Sequence, residues 1–275
     1  MTQAGNGAWK QVFTADGSWT LEHPVHGTGC HARHGGWLEA RERFAAPARL
    51  AELAKVRSSV RLLDIGTGLG LNIAAALEVT RAAGVPLEVV TFENSLEVLE
   101  RAIEIGSSEP STSALSGSES SVENHRLVLA AIRTALTSDQ DTANFGEDAA
   151  LGSLRLRLGD ARELLPLLPG ERDFDAIFLD PFPARKDPDL WQPSFLLVVA
   201  GRLAEGGWIS THSAAIPLRA SLVAAGLAVG LGPLVGKKAA GTIARRGEPL
   251  PALDSRIEEL VKAAALKLIE TNNLG

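Results

Sequence analysis

The sequence predicts an α/β fold organised as a doubly wound, mostly parallel, Rossmann-like sheet. Three observations carry that prediction. Arg61 to Ile65 is a short apolar strand run, Gly66, Gly68 and Gly70 form a turn, and Leu71 to Val79 opens an apolar helix. This is the strand–turn–helix unit of nucleotide-binding sheets. Strand-like and helix-like runs then alternate to about residue 245, which implies parallel strands with helices on both faces. Finally, Asp64, Glu93, Asp160 and Asp180 fall at or near the ends of strand runs, the edge where open α/β sheets bind ligands.

Residues 1–55 read as a flank on that core. Asp16-Gly17 sits between strand-like arms within Thr14 to Leu21, the signature of a β-hairpin. A Gly/His-rich turn from His23 to Gly36 leads to a helix over Trp37 to Leu53, kinked or broken at Pro47. The core, 56–246, continues with a strand at Leu87–Glu93, a helix at Leu96–Ile105, a strand at Leu154–Leu158 and a helix at Arg162–Leu168. A strand at Phe174–Asp180, a helix at Leu190–Leu203, a strand at Trp208–His212 and a helix at Pro217–Ala225 follow. Two last strands are expected at Ala228–Gly232 and Gly241–Arg245. Residues 107–150 form an insertion whose Ser-rich stretch, 107–121, is too poor in apolar residues to order itself as more than a mobile loop, while Val122 to Leu136 looks helical. Residues 247–275 carry a C-terminal helix, with a capping box at Ser255 and Glu258 and an apolar stripe of Ile257, Leu260, Val261, Ala264 and Leu268.

Composition narrows the class. With 275 residues, 45% hydrophobic and 22% charged, the chain can bury a substantial core. No apolar run approaches the ~20 residues of a membrane span, and Met1 to Lys10 has no signal-peptide core. One cysteine, Cys30, excludes a disulfide framework. A cytoplasmic protein with no membrane partner is expected. The net charge of −6 does not favour nucleic acid in general, and DNA is not an expected partner. A tRNA enzyme is compatible with it if basic pairs such as Arg185-Lys186, Lys237-Lys238 and Arg245-Arg246 share a face.

Asp64 narrows the ligand. A carboxylate two residues before Gly66 would repel a pyrophosphate but attract a ligand carrying an ammonium and a sulfonium, as S-adenosylmethionine does. Leu71 stands where a dinucleotide fingerprint has Gly or Ala, which also counts against a nicotinamide oxidoreductase. On this reading the fold is that of a class I S-adenosylmethionine-dependent methyltransferase. Asp64 attracts the methionine ammonium, Glu93 accepts from both ribose hydroxyls and Asp160 accepts from the adenine amino group. Thr67, Asn72 and Ala161 count with Gly66, Gly68 and Gly70 in the same cofactor site. A strand-end acid is also a common helix cap, and a Gly-rich βα corner can serve packing alone. Asp180-Pro-Phe-Pro183 resembles the Asp/Asn-Pro-Pro-Tyr/Phe motif of methyltransferases acting on amino nitrogens. Such chemistry needs an acceptor for the amine N–H bonds that aims the lone pair, here Asp180, and Phe182 offers a ring for a flat substrate.

The run from Phe178 to Trp191, Phe-Leu-Asp-Pro-Phe-Pro-Ala-Arg-Lys-Asp-Pro-Asp-Leu-Trp, resembles the Phe-Leu-Asp-Gly-Phe-x-Pro-x-Lys-Asn-Pro-x-x-Trp signature of the MnmC methyltransferase-domain family, called MnmD when it stands alone. Asp16-Gly-Ser-Trp-Thr-Leu21 and the stretch from His31 to Phe44 are similar to two further motifs of that family. The resemblance spans roughly residues 13–245. It implies methyl transfer to the aminomethyl nitrogen of wobble uridine in the tRNA anticodon loop. It also implies substrate-side roles for Lys186, Trp191, His34 and Glu39, and RNA phosphate contacts for Lys237 and Lys238. No fused oxidase domain is expected, so the aminomethyl substrate would come from MnmE–MnmG-type enzymes. The sequence departs from the family pattern at Ala32, Pro181 and Asp187. Other readings are methylation of a different amine, or a binding module that kept the fold. His23, His26, Cys30, His31 and His34 could hold zinc by count, but the spacing fits no standard closed site and no metal is expected.

Overall fold

The computed structural model describes residues 9–24, 27, 29–31, 33–108, 118–147, 149–170, 172–236 and 240–273. β1 (Lys10–Phe13) and β2 (Trp19–Glu22) pair antiparallel as the expected hairpin. Asp16 organises its turn: Oδ1 accepts from the hydroxyls of Thr14 and Ser18, each at 2.7 Å. Oδ2 accepts from the Leu38 N–H at 3.0 Å, fastening the hairpin to the first helix. α1 (Gly36–Glu39) continues into a π-helical turn, Ala40–Ala45, and α2 (Leu50–Val56) begins beyond the break at Pro47. Trp19, Leu21, Trp37 and Phe44 are buried in the same apolar cluster as the sheet, so this flank shares the core's interior.

β3 (Val60–Ile65), α3 (Leu71–Ala82), β4 (Leu87–Glu93), α4 (Leu96–Ser108) and α5 (Glu119–Thr137) follow. Then come β5 (Thr142–Asn144), β6 (Gly152–Leu158), α6 (Ala161–Leu164), β7 (Phe174–Leu179), α7 (Pro193–Gly201) and β8 (Leu203–Thr211). α8 (Ile216–Ala224), β9 (Ala228–Leu231), β10 (Thr242–Arg245) and α9 (Ser255–Asn273) complete the chain. The eight-stranded sheet has the order β5-β6-β4-β3-β7-β8-β10-β9. β6, β4, β3, β7 and β8 run parallel, and β10 is antiparallel to both its neighbours. The chain winds outward from β3 to one side and then from β7 to the other, so the crevice between their carboxyl ends is the switch point.

Alternation along the central strands supplies two cores. Leu62, Ala176 and Phe178 face the cluster under α3, α4 and α5. Leu63, Ile65, Ile177 and Leu179 face the cluster under α6, α7 and α8. A strand buried on both faces reads as the continuous apolar run seen at β3 and β7.

The structure amends several expectations. β5 was not legible: three residues on an edge carry no alternation to detect. Of the Ser-rich stretch, 109–117 lie outside the described residues. The last residues of that stretch are helical: Ser118 caps α5 by accepting from the Ser121 N–H, Glu119 starts the helix and Ser121 is buried. A polar run reads as loop in sequence, but here its hydroxyls serve a helix start. The helix after β6 passes into a 3-10 turn, Leu165–Leu167, at Pro166. Leu203 belongs to β8, not to the preceding helix, and that strand therefore starts earlier than Trp208. α9 is capped by Asp254 instead of Ser255: Oδ1 accepts from the Arg256 N–H at 3.1 Å, and the Asp254 carbonyl accepts from Glu258 at 2.8 Å. Val261 and Ala265 are its buried positions, and it packs on α8. Replacing Asp254 by Ala should cost about 1 kcal/mol, a drop of about 2–4 °C in melting temperature measured by calorimetry.

Candidate active site

The glycine turn brings the two main motifs into contact. Gly66 has φ 96°, and a Cβ there would lie 2.7 Å from the Asp180 carbonyl oxygen. The Asp180 N–H in turn bonds the Ile65 carbonyl at 2.9 Å. Gly66 is thus a glycine because the loop after β7 crosses it, a closer constraint than the expected approach of a ligand. Gly70, φ 75°, begins α3 against Val128 of α5, 3.0 Å from where its Cβ would stand. Its reason is packing as well. Only Gly68, φ 52°, opens on free space, with Cys30 Cβ at 4.0 Å.

Asp64 lies under this turn, fully buried. Its Oδ2 accepts from Thr91 Oγ1 at 2.7 Å, and Thr91 and Thr67 share a hydroxyl contact of 2.5 Å. The Thr67 hydroxyl therefore points into the sheet instead of toward a ligand. Asp64 Oδ1 is buried with no partner among the described residues, and so is Asn72 Oδ1. Burial, together with the charges of Asp180 and Glu93, holds the Asp64 carboxyl well above the usual carboxylate range. Two orphaned acceptors and a buried acid beside an open glycine fit a cationic, N–H-rich ligand.

Glu93 ends β4 and is fixed by three backbone donors: Gly68 to Oε2 at 2.9 Å, and Asn94 and Ser95 to Oε1 at 2.9 and 3.0 Å. Burial still outweighs these bonds and raises its carboxyl. Oε1 already accepts two donors, and Oε2 keeps capacity to accept one more. Asp160 is differently placed. It is the N-cap of α6, accepting from the Arg162 N–H at 2.8 Å, and it pairs with the Arg162 guanidinium at 2.6 Å. That hydrogen bond holds its carboxyl below the usual range. The cap is formed. Ala161 is buried at the first position of that helix.

Asp180 follows β7. Oδ2 accepts from Asn72 Nδ2 at 2.9 Å and Oδ1 faces His212 Nδ1 at 3.0 Å. Asn72 thus serves the Asp180 carboxylate with its amide nitrogen, and its oxygen is left without a partner among the described residues. Phe182 stacks near Trp9, with ring centroids 6.3 Å apart and planes 20° apart, and His23 meets both rings edge-on. Trp191 is buried and donates its indole N–H to the Phe182 carbonyl at 2.8 Å. Lys186 sits in the turn after Pro183, where burial and then Arg185 lower its pKa. The His34 ring packs on Gly236, next to 237–239. Lys237 and Lys238 themselves lie outside the described residues. Glu39 is corrected: it is buried and ion-paired with buried Arg43 at 3.5 Å, an interior pair of one helical face.

Two residues of the site escaped the sequence reading. His212 ends β8 at the same sheet edge as the acids, and a strand-end rule applied to all titratable residues would have found it. Cys30 sits over Gly68. Burial and the charges of Glu93 and Asp180 push its thiol up. Of the possible zinc ligands, His26 lies outside the described residues, and among the described residues no group of three could hold a metal.

Comparisons with known proteins bear on the family and the fold. Residues 123–247 match the family described as S-adenosyl-L-methionine-dependent methyltransferase. The crystal structure of MnmC2 from Aquifex aeolicus superposes with a TM-score of 0.73 at 26% identity, over 96% of this chain and 86% of that one. The chain belongs to the S-adenosylmethionine-dependent methyltransferases related to the methyltransferase domain of MnmC. The tRNA 5-methylaminomethyl-2-thiouridine biosynthesis bifunctional protein MnmC of Pseudomonas aeruginosa is 33% identical over 219 residues, 75% of this methyltransferase but 30% of the longer protein. An uncharacterised protein of Methanocaldococcus jannaschii is 28% identical over 238 residues, 85% of this chain and 58% of its own. No helix among the described residues is long and apolar enough to cross a membrane.

The raised acids set a pH dependence. Asp64 and Glu93 hold their protons to higher pH in the fold than in the unfolded chain. Their contribution is full below the ordinary carboxylate range and is lost as pH rises through the raised values. The melting temperature of the ligand-free methyltransferase should fall as pH rises above about 4, and Asp64→Asn should flatten that fall in thermal melts across pH.

Proposed function

We propose that this methyltransferase transfers the methyl group of S-adenosylmethionine to the aminomethyl nitrogen of wobble uridine in the anticodon loop of tRNA. The observation that carries the reading is the Asp180 carboxylate. It is held from opposite sides by Asn72 and His212 at the switch point, directly across the Gly66 contact from the cofactor turn. Each oxygen retains room for one more donor, so the pair can hold the N–H bonds of an amine and aim its lone pair.

Asp64 and Asn72 present acceptors to the cofactor's ammonium, Gly68 leaves the space beside it open, and Glu93 takes a ribose hydroxyl through Oε2. Asp160 and Ala161, at the start of α6, border the adenine. When bound, S-adenosylmethionine supplies an electrophilic methyl on a sulfonium. Phe182, stiffened between Pro181 and Pro183 and pinned through its carbonyl by Trp191, walls the acceptor side for a planar base. His34 and Lys186 flank that side, and Lys237 and Lys238 would meet RNA phosphate. The named activity of the relative from P. aeruginosa, tRNA 5-methylaminomethyl-2-thiouridine biosynthesis, supports the substrate. The aminomethyl group would be supplied by MnmE–MnmG-type enzymes, in the cytoplasm.

The test is mass spectrometry of tRNA nucleosides from a strain lacking the gene. Aminomethyl uridines should accumulate and their N-methyl forms disappear. Unchanged methylated uridines would overturn the tRNA reading in favour of another amine. In the purified protein, Asp180→Asn should lower methylation by about 10²-fold or more while calorimetry shows cofactor binding retained. Equal rates in the variant would remove Asp180 from the chemistry.

A further inference from the structure

An amine that reaches the site as an ammonium cannot attack until it loses a proton. Asp180 already accepts a hydrogen bond on each oxygen. Glu93 accepts three backbone N–H bonds at the other side of the turn. The Cys30 thiol, pushed up by burial and by its two acidic neighbours, holds its own proton.

His212 differs from these. A carboxylate only accepts hydrogen bonds, so Nδ1, 3.0 Å from Asp180 Oδ1, is the nitrogen that carries the hydrogen. That fixes the tautomer with its lone pair on Nε2. Nε2 makes no hydrogen bond among the described residues, and the side chain is 20% exposed. The Trp191 ring lies edge-on to the imidazole at 5.4 Å and restrains its rotation. Trp191 also fixes the Phe182 backbone, so one indole sets both the acceptor wall and the imidazole. The fold therefore holds a carboxylate-oriented imidazole with one basic nitrogen open, at the end of the strand next to the proposed nucleophile site.

We propose that His212 is the proton acceptor of the methyl transfer, oriented by Asp180. This rests on the amine reading above. The acceptor ammonium gives one proton to His212 Nε2, forming an imidazolium whose charge Asp180 offsets. The freed nitrogen lone pair then forms the N–C bond as the C–S bond breaks, and the bonding pair leaves on sulfur as a neutral thioether. The methylated ammonium departs, and the imidazolium returns its proton to water.

The charged and titratable groups around His212 are few. Asp180 stands at the end of β7, and Asp64 lies on β3 within its field. Cys30 in the N-terminal turn also feels Asp180. Arg43, with its partner Glu39, comes from the first helix, its Nη1 beside Gly241 on the side of His212 Cα.

The experiment is the pH profile of kcat/KM on an anticodon stem-loop RNA carrying 5-aminomethyluridine, for wild type, His212→Asn and His212→Gln. With an internal base, the reactive complex holds as many protons as the free enzyme and ammonium together. The wild-type profile should then be level over a range below the amine's own titration. Without the base the complex holds one proton fewer, so log(kcat/KM) should fall by about one per pH unit over the same range in both variants, with a rate about 10²-fold lower at neutral pH. Added imidazole should restore the level region in His212→Ala. Cofactor affinity by calorimetry reports folding and should change by less than about threefold. Profiles of the same shape in wild type and variants would overturn the proposal and leave His212 as a holder of Asp180. Wild-type protein that binds cofactor and leaves this RNA unmethylated would overturn the amine reading, and this inference with it.

Discussion

The close crossing of Gly66 beneath the Asp180 carbonyl is the constraint on which the rest of the site depends. The loop carrying the acceptor acid and the turn carrying the cofactor donors belong to adjacent parallel strands, but adjacency alone leaves their tips free to splay. The missing Cβ lets the two backbones meet, and the Asp180 N–H bond to Ile65 locks them. Side-chain bonds then extend the join, with Asn72 from α3 reaching Asp180 and Glu93 from β4 reaching Gly68. Donor side and acceptor side are thereby one rigid body, which is what in-line transfer between two bound molecules requires.

The electrostatics follow from the same closeness. Burial, with the charges of Asp180 and Glu93 close by, disfavours the charge on Asp64, and burial disfavours that on Glu93. A buried acid held this way carries an unfavourable charge that a neighbouring cation would relieve. The Thr67–Thr91–Asp64 chain of hydroxyls satisfies only one Asp64 oxygen and leaves the other for the ligand.

Much of this was legible from residue order, for reasons that differ by element. β3, its glycine turn and α3 announce themselves because a doubly buried strand must be apolar throughout and a positive φ selects glycine. β4 and its terminal Glu93 were placed to the residue. The misses have tertiary causes. Glu39 and an exposed substrate-side acid look alike in sequence, and only burial against Arg43 tells them apart. The cap that Asp160 forms depends on Arg162 folding back. The packing of Gly66 on the crossing loop and of Gly70 on Val128 is tertiary, and residue order does not carry it. His212 escapes any reading of the sheet edge that is confined to carboxylates.

The long helix of the insertion after β4, α5, props the glycine turn from behind. Val128 presses on Gly70, and His125, kept neutral by burial with its pKa lowered to about 4, binds the Leu69 carbonyl at 2.7 Å. Trp19 and Trp37 of the flank close around that imidazole. The helix is thus a buttress shared by the cofactor turn and the N-terminal flank. Kinship among such chains should show this buttress keeping its register, since sliding it by one residue would unseat turn and flank together.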